Sequence, residues 1–195
     1  SGKYCGPKAA NLGQLKQMFP DKVVNGSVIP FGIFKEHMNQ DMPLQEGSYW
    51  DYLTETFAQA SKMRAEDFSE EQVQLCTLDR MLQLREAIAK MPLKQSFLND
   101  LEQSFQKNFN TSIGGTPVFL RSDTNMEDLD SFTGAGLNLT VFNVRDREKI
   151  LKGIKDVWAS PYTERSFKWR QQYLNNPENV YPSILYELFS FKCVS

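Results

Sequence analysis

Histidine is almost missing from this chain: His37 is the only one in 195 residues. Chemistry that needs two imidazoles is thereby excluded. A Ser-His-Asp arrangement would have to use His37, and no Gly-x-Ser-x-Gly elbow accompanies it. Cysteine is nearly as scarce. Cys5, Cys76 and Cys193 are an odd number at wide spacing, so neither a disulfide framework nor a zinc site is indicated, and cysteine catalysis lacks a histidine partner by pattern. No apolar run approaches the roughly 18 residues of a membrane span, and nothing near Ser1 has the charged, apolar, small-residue order of a signal peptide. Without such a signal, the glycosylation sequons at Asn25, Asn110 and Asn138 are accidents. Basic excess is missing too. Lys and Arg number 22 against 24 Asp and Glu, so no cationic stripe could attract a nucleic-acid backbone. These absences point to a cytoplasmic protein with no nucleic-acid and no membrane partner. What is present is 41% hydrophobic content, enough for a substantial core in one domain or two small ones.

The periodicities mix helix and strand. Gly6-Pro7 ends one segment, and Ala9, Leu12, Leu15 and Met18 then share a face of a short helix. Val23 to Ile29 reads as one or two short strands around an Asn25-Gly26 turn, and a helix follows from about Ile33 to Asn39. A polar connection over 41–48 leads to a helical block. Tyr49 to Ser61 is its first helix. Ser69, with Glu70, Glu71 and Gln72, starts a second, in which Leu75, Leu78, Leu82 and Ala89 recur at spacings of 3, 4 and 7. Met91-Pro92 ends it, and a third helix carries Leu98, Leu101, Phe105 and Phe109 on one face. Further on, Asp146 caps a helix with Leu151, Ile154 and Trp158 on one side. Ser160-Pro161 restarts the chain as a helix over 162–174, and Tyr181 to Phe191 is aromatic and β-branched enough for a strand.

The most informative stretch is Phe119-Leu120-Arg121-Ser122-Asp123-Thr124-Asn125-Met126-Glu127-Asp128-Leu129, with Ser131-Phe132-Thr133-Gly134-Ala135-Gly136 directly after it. A short apolar strand from Pro117 ends on Arg121. A carboxylate-bearing turn and a small-residue loop follow, and then Leu137, Leu139 and Val141 alternate with polar residues as a half-buried strand. An arginine at a strand end beside a glycine loop presents a planar cation and backbone N–H groups to phosphate oxygens. Ser122, Thr124 and Thr133 could donate hydroxyls to the same anion. A structural arginine paired with Asp123, Glu127 or Asp128 fits the same spacing, and a solvated lysine fits Lys8.

The stretch resembles the Val-Arg-Ser-Ser-Ala-Thr-x-Glu-Asp-Leu segment and Ser-Phe-Ala-Gly loop of the N-terminal nucleotide-binding domain of the phosphoenolpyruvate synthase and pyruvate phosphate dikinase family. Gly6-Pro7-Lys8-Ala9-Ala10-Asn11-Leu12-Gly13 is similar to that family's Gly-Gly-Lys-x-Ala-Asn-Leu-Gly opening, and Val28-Ile29-Pro30-Phe31-Gly32-Ile33 to its Val-Pro-x-Gly-Phe segment. Val157-Trp158-Ala159-Ser160, Glu164-Arg165 and Trp169-Arg170 resemble the helices that come next. The resemblance implies an α+β fold, the first lobe of an ATP-grasp-like domain over 1–182 with a helical block inserted at about 49–109. Residues 183–195 would open a truncated second lobe.

By the same resemblance, the ligand is ATP with Mg²⁺, and the phosphates contact Lys8, Arg121, Ser122, Thr124, Thr133, Gly134 and Gly136. Catalytic groups and most metal ligands would lie downstream, Asp123 and Glu127 being the weak metal candidates here. The partners are downstream phosphohistidine and pyruvate domains of the same chain. The implied activity is that of a dikinase which phosphorylates a histidine on a later domain and then pyruvate. A pyruvate phosphate dikinase, a glucan water dikinase, an antibiotic phosphotransferase or a non-catalytic nucleotide-sensing module would carry the same segments. Two residues depart from the pattern. Pro7 stands at the second glycine and removes an N–H, and Asp123 stands where a small residue is usual. His37 lacks the Thr-x-x-His context of a phosphate-accepting histidine.

Overall fold

A computed structural model of the chain describes residues 2–125, 139–173 and 179–188. After a single turn α1 (Gly2–Cys5), helix α2 (Pro7–Met18) leads to strand β1 (Gly26–Ile29) and helix α3 (Phe31–Met38). The helical block is α4 (Tyr49–Ala65), α5 (Glu70–Lys90) and α6 (Gln95–Phe109). Strands β2 (Val118–Thr124) and β3 (Thr140–Val144) follow, then α7 (Arg147–Ala159), a 3-10 turn, α8 (Glu164–Tyr173) and β4 (Pro182–Leu188). The fold is α+β, with the helical block between β1 and β2. The starts of α4, α5 and α7 are set locally. Ser48 and Ser69 form reciprocal capping boxes with Asp51 and Gln72, and Asp146 accepts from the amides of Glu148 and Lys149.

The described strands form one antiparallel sheet in the order β1-β4-β2-β3. The strand expected to open a second lobe is therefore an inner strand of this sheet. Residues 184–187 pair with β1 on one side and 182–188 pair with β2 on the other, and six of the strand's seven residues are buried, so it is covered on both faces. The boundary expected at 183 cuts through it. Val118, Leu120, Ile184 and Tyr186 face the core, where Phe105 of α6 stacks on Tyr186 at 5.4 Å and α7 packs on β2. Trp158 is fully buried there, edge-on to Phe34.

Two helices turn differently from their leucine spacing. In α5 the buried side is Val73, Thr77, Met81, Leu84 and Ile88, while Leu75 is 72% exposed and Leu82 is exposed too. A spacing of 4, 4, 3 and 4 with mixed residue types carries the core contact. The stripe more visible in the sequence is split, with Leu75 and Leu82 facing out and Leu78 partly buried against the core. In α2 the expected face is likewise not the buried one: Ala9 is buried, whereas Leu15 and Met18 are exposed. Leu84→Ala is expected to lower unfolding free energy by about 3 kcal/mol through transfer loss and cavity. Leu75→Ala should change it by less than about 0.5 kcal/mol. Chemical denaturation of the two variants checks the register, and equal costs would contradict it.

Candidate phosphate-binding site

Strand β2 continues through Thr124 rather than ending on Arg121, and this decides where the candidate residues point. Alternation along a strand puts Phe119, Arg121 and Asp123 on one face and Leu120, Ser122 and Thr124 on the other. The first face also carries Leu185 and Glu187 of β4, the register partners of Arg121 and Phe119.

The start of α2 sits against this face, tied down by three bonds from distant strands. The Ala9 amide donates to Asp123 Oδ2 at 3.1 Å, the Lys8 ammonium donates to the Ser122 carbonyl at 3.2 Å, and Ser183 Oγ donates to the Cys5 carbonyl at 2.5 Å. Asp123 is fully buried. Its carboxylate lies where first-turn amides lack intrahelical partners and where the helix dipole favours negative charge. Pro7 is the first residue of the helix, the position at which its missing N–H costs nothing. Both departures from the family pattern thus have local structural reasons. Burial, and more weakly the Asp123 carboxylate, push the Cys5 thiol up, so Cys5 is not an activated nucleophile.

Arg121 projects from the same face as Asp123, its side chain 44% exposed. Its Nε donates to Glu187 Oε1 at 2.6 Å, and its guanidinium carbon lies 5.3 Å from the Phe119 ring centroid. The carboxylate that pairs with Arg121 is thus Glu187, 66 residues away, rather than Asp123. Glu187 was not legible as a site residue. The only signal is one carboxylate within the apolar run Ile184-Leu185-Tyr186-Glu187-Leu188.

Lys8 is thus bonded to the residue that follows Arg121 in β2. The structure does not bring Ser122 and Thr124 to them. Both are buried, and alternation points them to the opposite face. Ser122 Oγ accepts from the Leu139 amide at 2.8 Å and so braces β3. Thr133, Gly134, Gly136 and Glu127 lie outside the described residues. Among the described residues no group of three or more His, Cys, Asp or Glu could hold a metal ion, and Asp123 Oδ2 is engaged by α2.

His37 is fully buried between α3 and the start of α6. Its Nδ1 lies 2.8 Å from the Ile33 carbonyl, and the Lys94 amide donates to Nε2 at 3.1 Å. Those partners require a neutral ring with the proton on Nδ1. Burial is the main cause that holds its pKa below the ordinary 6.5, outweighing the Ile33 bond. The unfolded chain then binds a proton that the fold refuses. Stability contributed by His37 is complete above pH 6.5 and falls as pH drops below that value toward the lowered folded pKa, by at most about 1.4 kcal/mol per pH unit. Denaturation at pH 7.5 and 5.5 should show a drop in the wild type that is smaller in His37→Gln. An identical drop in both would assign the effect to other groups.

An α+β domain with a lysine at a helix start and an arginine on one face of an antiparallel sheet belongs to the class of domains that can offer cations to an oxyanion. The comparison with protein families makes the assignment specific. Residues 3–186 match the family described as pyruvate phosphate dikinase, AMP/ATP-binding domain, and the chain belongs to that family. It is thus the AMP/ATP-binding part of a phosphotransferase-family protein, of ATP-grasp-like architecture. A comparison with curated proteins finds no match. No described helix is long and apolar enough to cross a membrane.

Proposed function

We propose that this domain is the ATP-phosphate-binding lobe of a cytoplasmic phosphoenolpyruvate synthase-like dikinase. In that enzyme ATP, with Mg²⁺, supplies a phosphoryl group to a histidine on a later domain, and pyruvate receives it afterwards. The observation that carries this reading is the family match over 3–186, which includes Arg121 and Lys8, the latter bonded beside it on β2. Their role is electrostatic. Arg121 presents a fork to phosphoryl oxygens and Lys8 adds a point charge, so charge that develops during transfer meets fixed cations. The loop containing Thr133, Gly134 and Gly136 would cover the phosphates. The adenine side and the metal ligands belong to chain beyond these residues. Pro7 and Asp123, the departures that would favour a non-catalytic nucleotide-sensing module, both have roles in seating α2, which weakens that alternative.

The isolated 195-residue chain is expected to bind ATP only at millimolar affinity or weaker, on the order of −4 kcal/mol, because on this reading it supplies phosphate contacts without the adenine side. Calorimetry with and without Mg²⁺ measures this. Micromolar, Mg²⁺-dependent binding would place the whole site within this chain and overturn the division of labour. In the full-length protein, ATP should produce an acid-labile, base-stable phosphoprotein that pyruvate discharges. Failure of pyruvate to discharge it would point to one of the related dikinases.

A further inference from the structure

Among the described residues the guanidinium of Arg121 is held from one side only. Nε is taken by Glu187 Oε1 at 2.6 Å and the guanidinium carbon lies over the Phe119 ring, but no described residue takes either terminal nitrogen. Glu187 is the fixed half of this pair, its side chain 10% exposed against 44% for Arg121. Its register partner on β1 is Gly26 and on β2 is Phe119, so no neighbouring side chain competes for its carboxylate across the strands.

A guanidinium can grip two oxygens side-on, through Nε and one terminal nitrogen, or end-on, through both terminal nitrogens. Here the side-on edge is occupied. We propose that Glu187 is a positioning residue: it anchors Arg121 by Nε so that the arginine receives a phosphoryl group end-on, through its two terminal nitrogens. This rests on the reading of Arg121 as a phosphate ligand and adds the group that sets its approach. What matters in such a role is the reach of the acceptor oxygen from β4, with charge second. Held this way, Arg121 loses less side-chain freedom when the anion arrives, and its geometry is in place before phosphoryl transfer begins.

The test uses the full-length protein and the rate of its phosphorylation by ATP, with kcat and KM for ATP resolved. Glu187→Ala removes the anchor and is expected to lower kcat/KM at least tenfold. Glu187→Gln restores an acceptor oxygen at the same reach and should recover most of that loss. Glu187→Asp keeps the charge but shortens the reach by one methylene, and should not. Should the alanine variant fail to fold, the Gln and Asp variants decide the matter alone. A purely electrostatic role for the pair predicts the reverse order, Asp recovering activity and Gln not, and that order would overturn the proposal. So would lowered melting temperatures with unchanged kcat/KM in the Glu187 variants. Arg121→Lys separates the phosphate-ligand role of Arg121 from the positioning role of Glu187. If it too leaves kcat/KM unchanged, the phosphate-ligand reading of Arg121 fails. If it is impaired while Glu187→Ala and Glu187→Asp are not, only the positioning role fails.

Discussion

Arg121→Lys in the full-length protein is expected to slow ATP-dependent phosphorylation about a hundredfold, a loss on the order of 3 kcal/mol of transition-state stabilisation. Lysine keeps the positive charge, so a long-range electrostatic contribution survives. It loses the planar fork, and its single ammonium cannot hold Glu187 and two phosphoryl oxygens in the arrangement that the guanidinium allows. The competing account is that Arg121 serves only the sheet, through its 2.6 Å bond to Glu187. That pair is half open to solvent on the arginine side, and exposed pairs contribute about 0–1 kcal/mol, so a structural role predicts a small fall in melting temperature with normal turnover. Melting temperature and phosphorylation rate measured on one sample distinguish these outcomes. A slightly less stable, fully active Arg121→Lys protein would remove Arg121 from the phosphate site.

How much could be read beforehand depended on how far apart the interacting residues are. The helix starts at Ser48, Ser69 and Asp146 are capped by bonds spanning two or three residues, and such signals are complete within a few letters of sequence. The family segments are equally local, and the family match covers them. The site depends on long-range pairs. Asp123 meets the Ala9 amide across 114 residues, and nothing in its own neighbourhood distinguishes a helix-seating carboxylate from a turn carboxylate. The end of β2 lies beyond the expected one because Ser122, Asp123 and Thr124 have turn chemistry in sequence, whereas pairing with β4 through Pro182 keeps them in the strand. That shift turned two expected hydroxyl ligands inward. In α5 two apolar stripes compete, and only packing against α4 and α7 selects the one containing Met81 and Leu84.

Gly6→Ala is expected to destabilise the domain by about 4 kcal/mol, while the same change at Gly13, in the helix that Gly6 precedes, should stabilise it. Gly6 has φ 83° and ψ 166°, a conformation essentially reserved for glycine, which costs other residues about 1–3 kcal/mol. A Cβ there would also lie 2.4 Å from Asp123 Cγ. That carboxylate is fully buried and bonded to the Ala9 amide, so it can move aside only by giving up the bond that seats α2. Disturbing a buried charged acceptor adds about 1–3 kcal/mol. Gly13 lies within α2 with no atom within 4 Å of the new methyl, and alanine there gains up to about 1 kcal/mol of helix propensity. For a chain of this size 1 kcal/mol corresponds to about 2–4 °C, so Gly6→Ala should melt roughly 8–16 °C lower. The clash also predicts non-additivity. Asp123→Ala removes the group that the new methyl meets, so the double variant should be more stable than the sum of the single costs implies. If the costs of Gly6→Ala and Asp123→Ala simply add, the carboxylate does not seat α2 in the way its bond to Ala9 indicates.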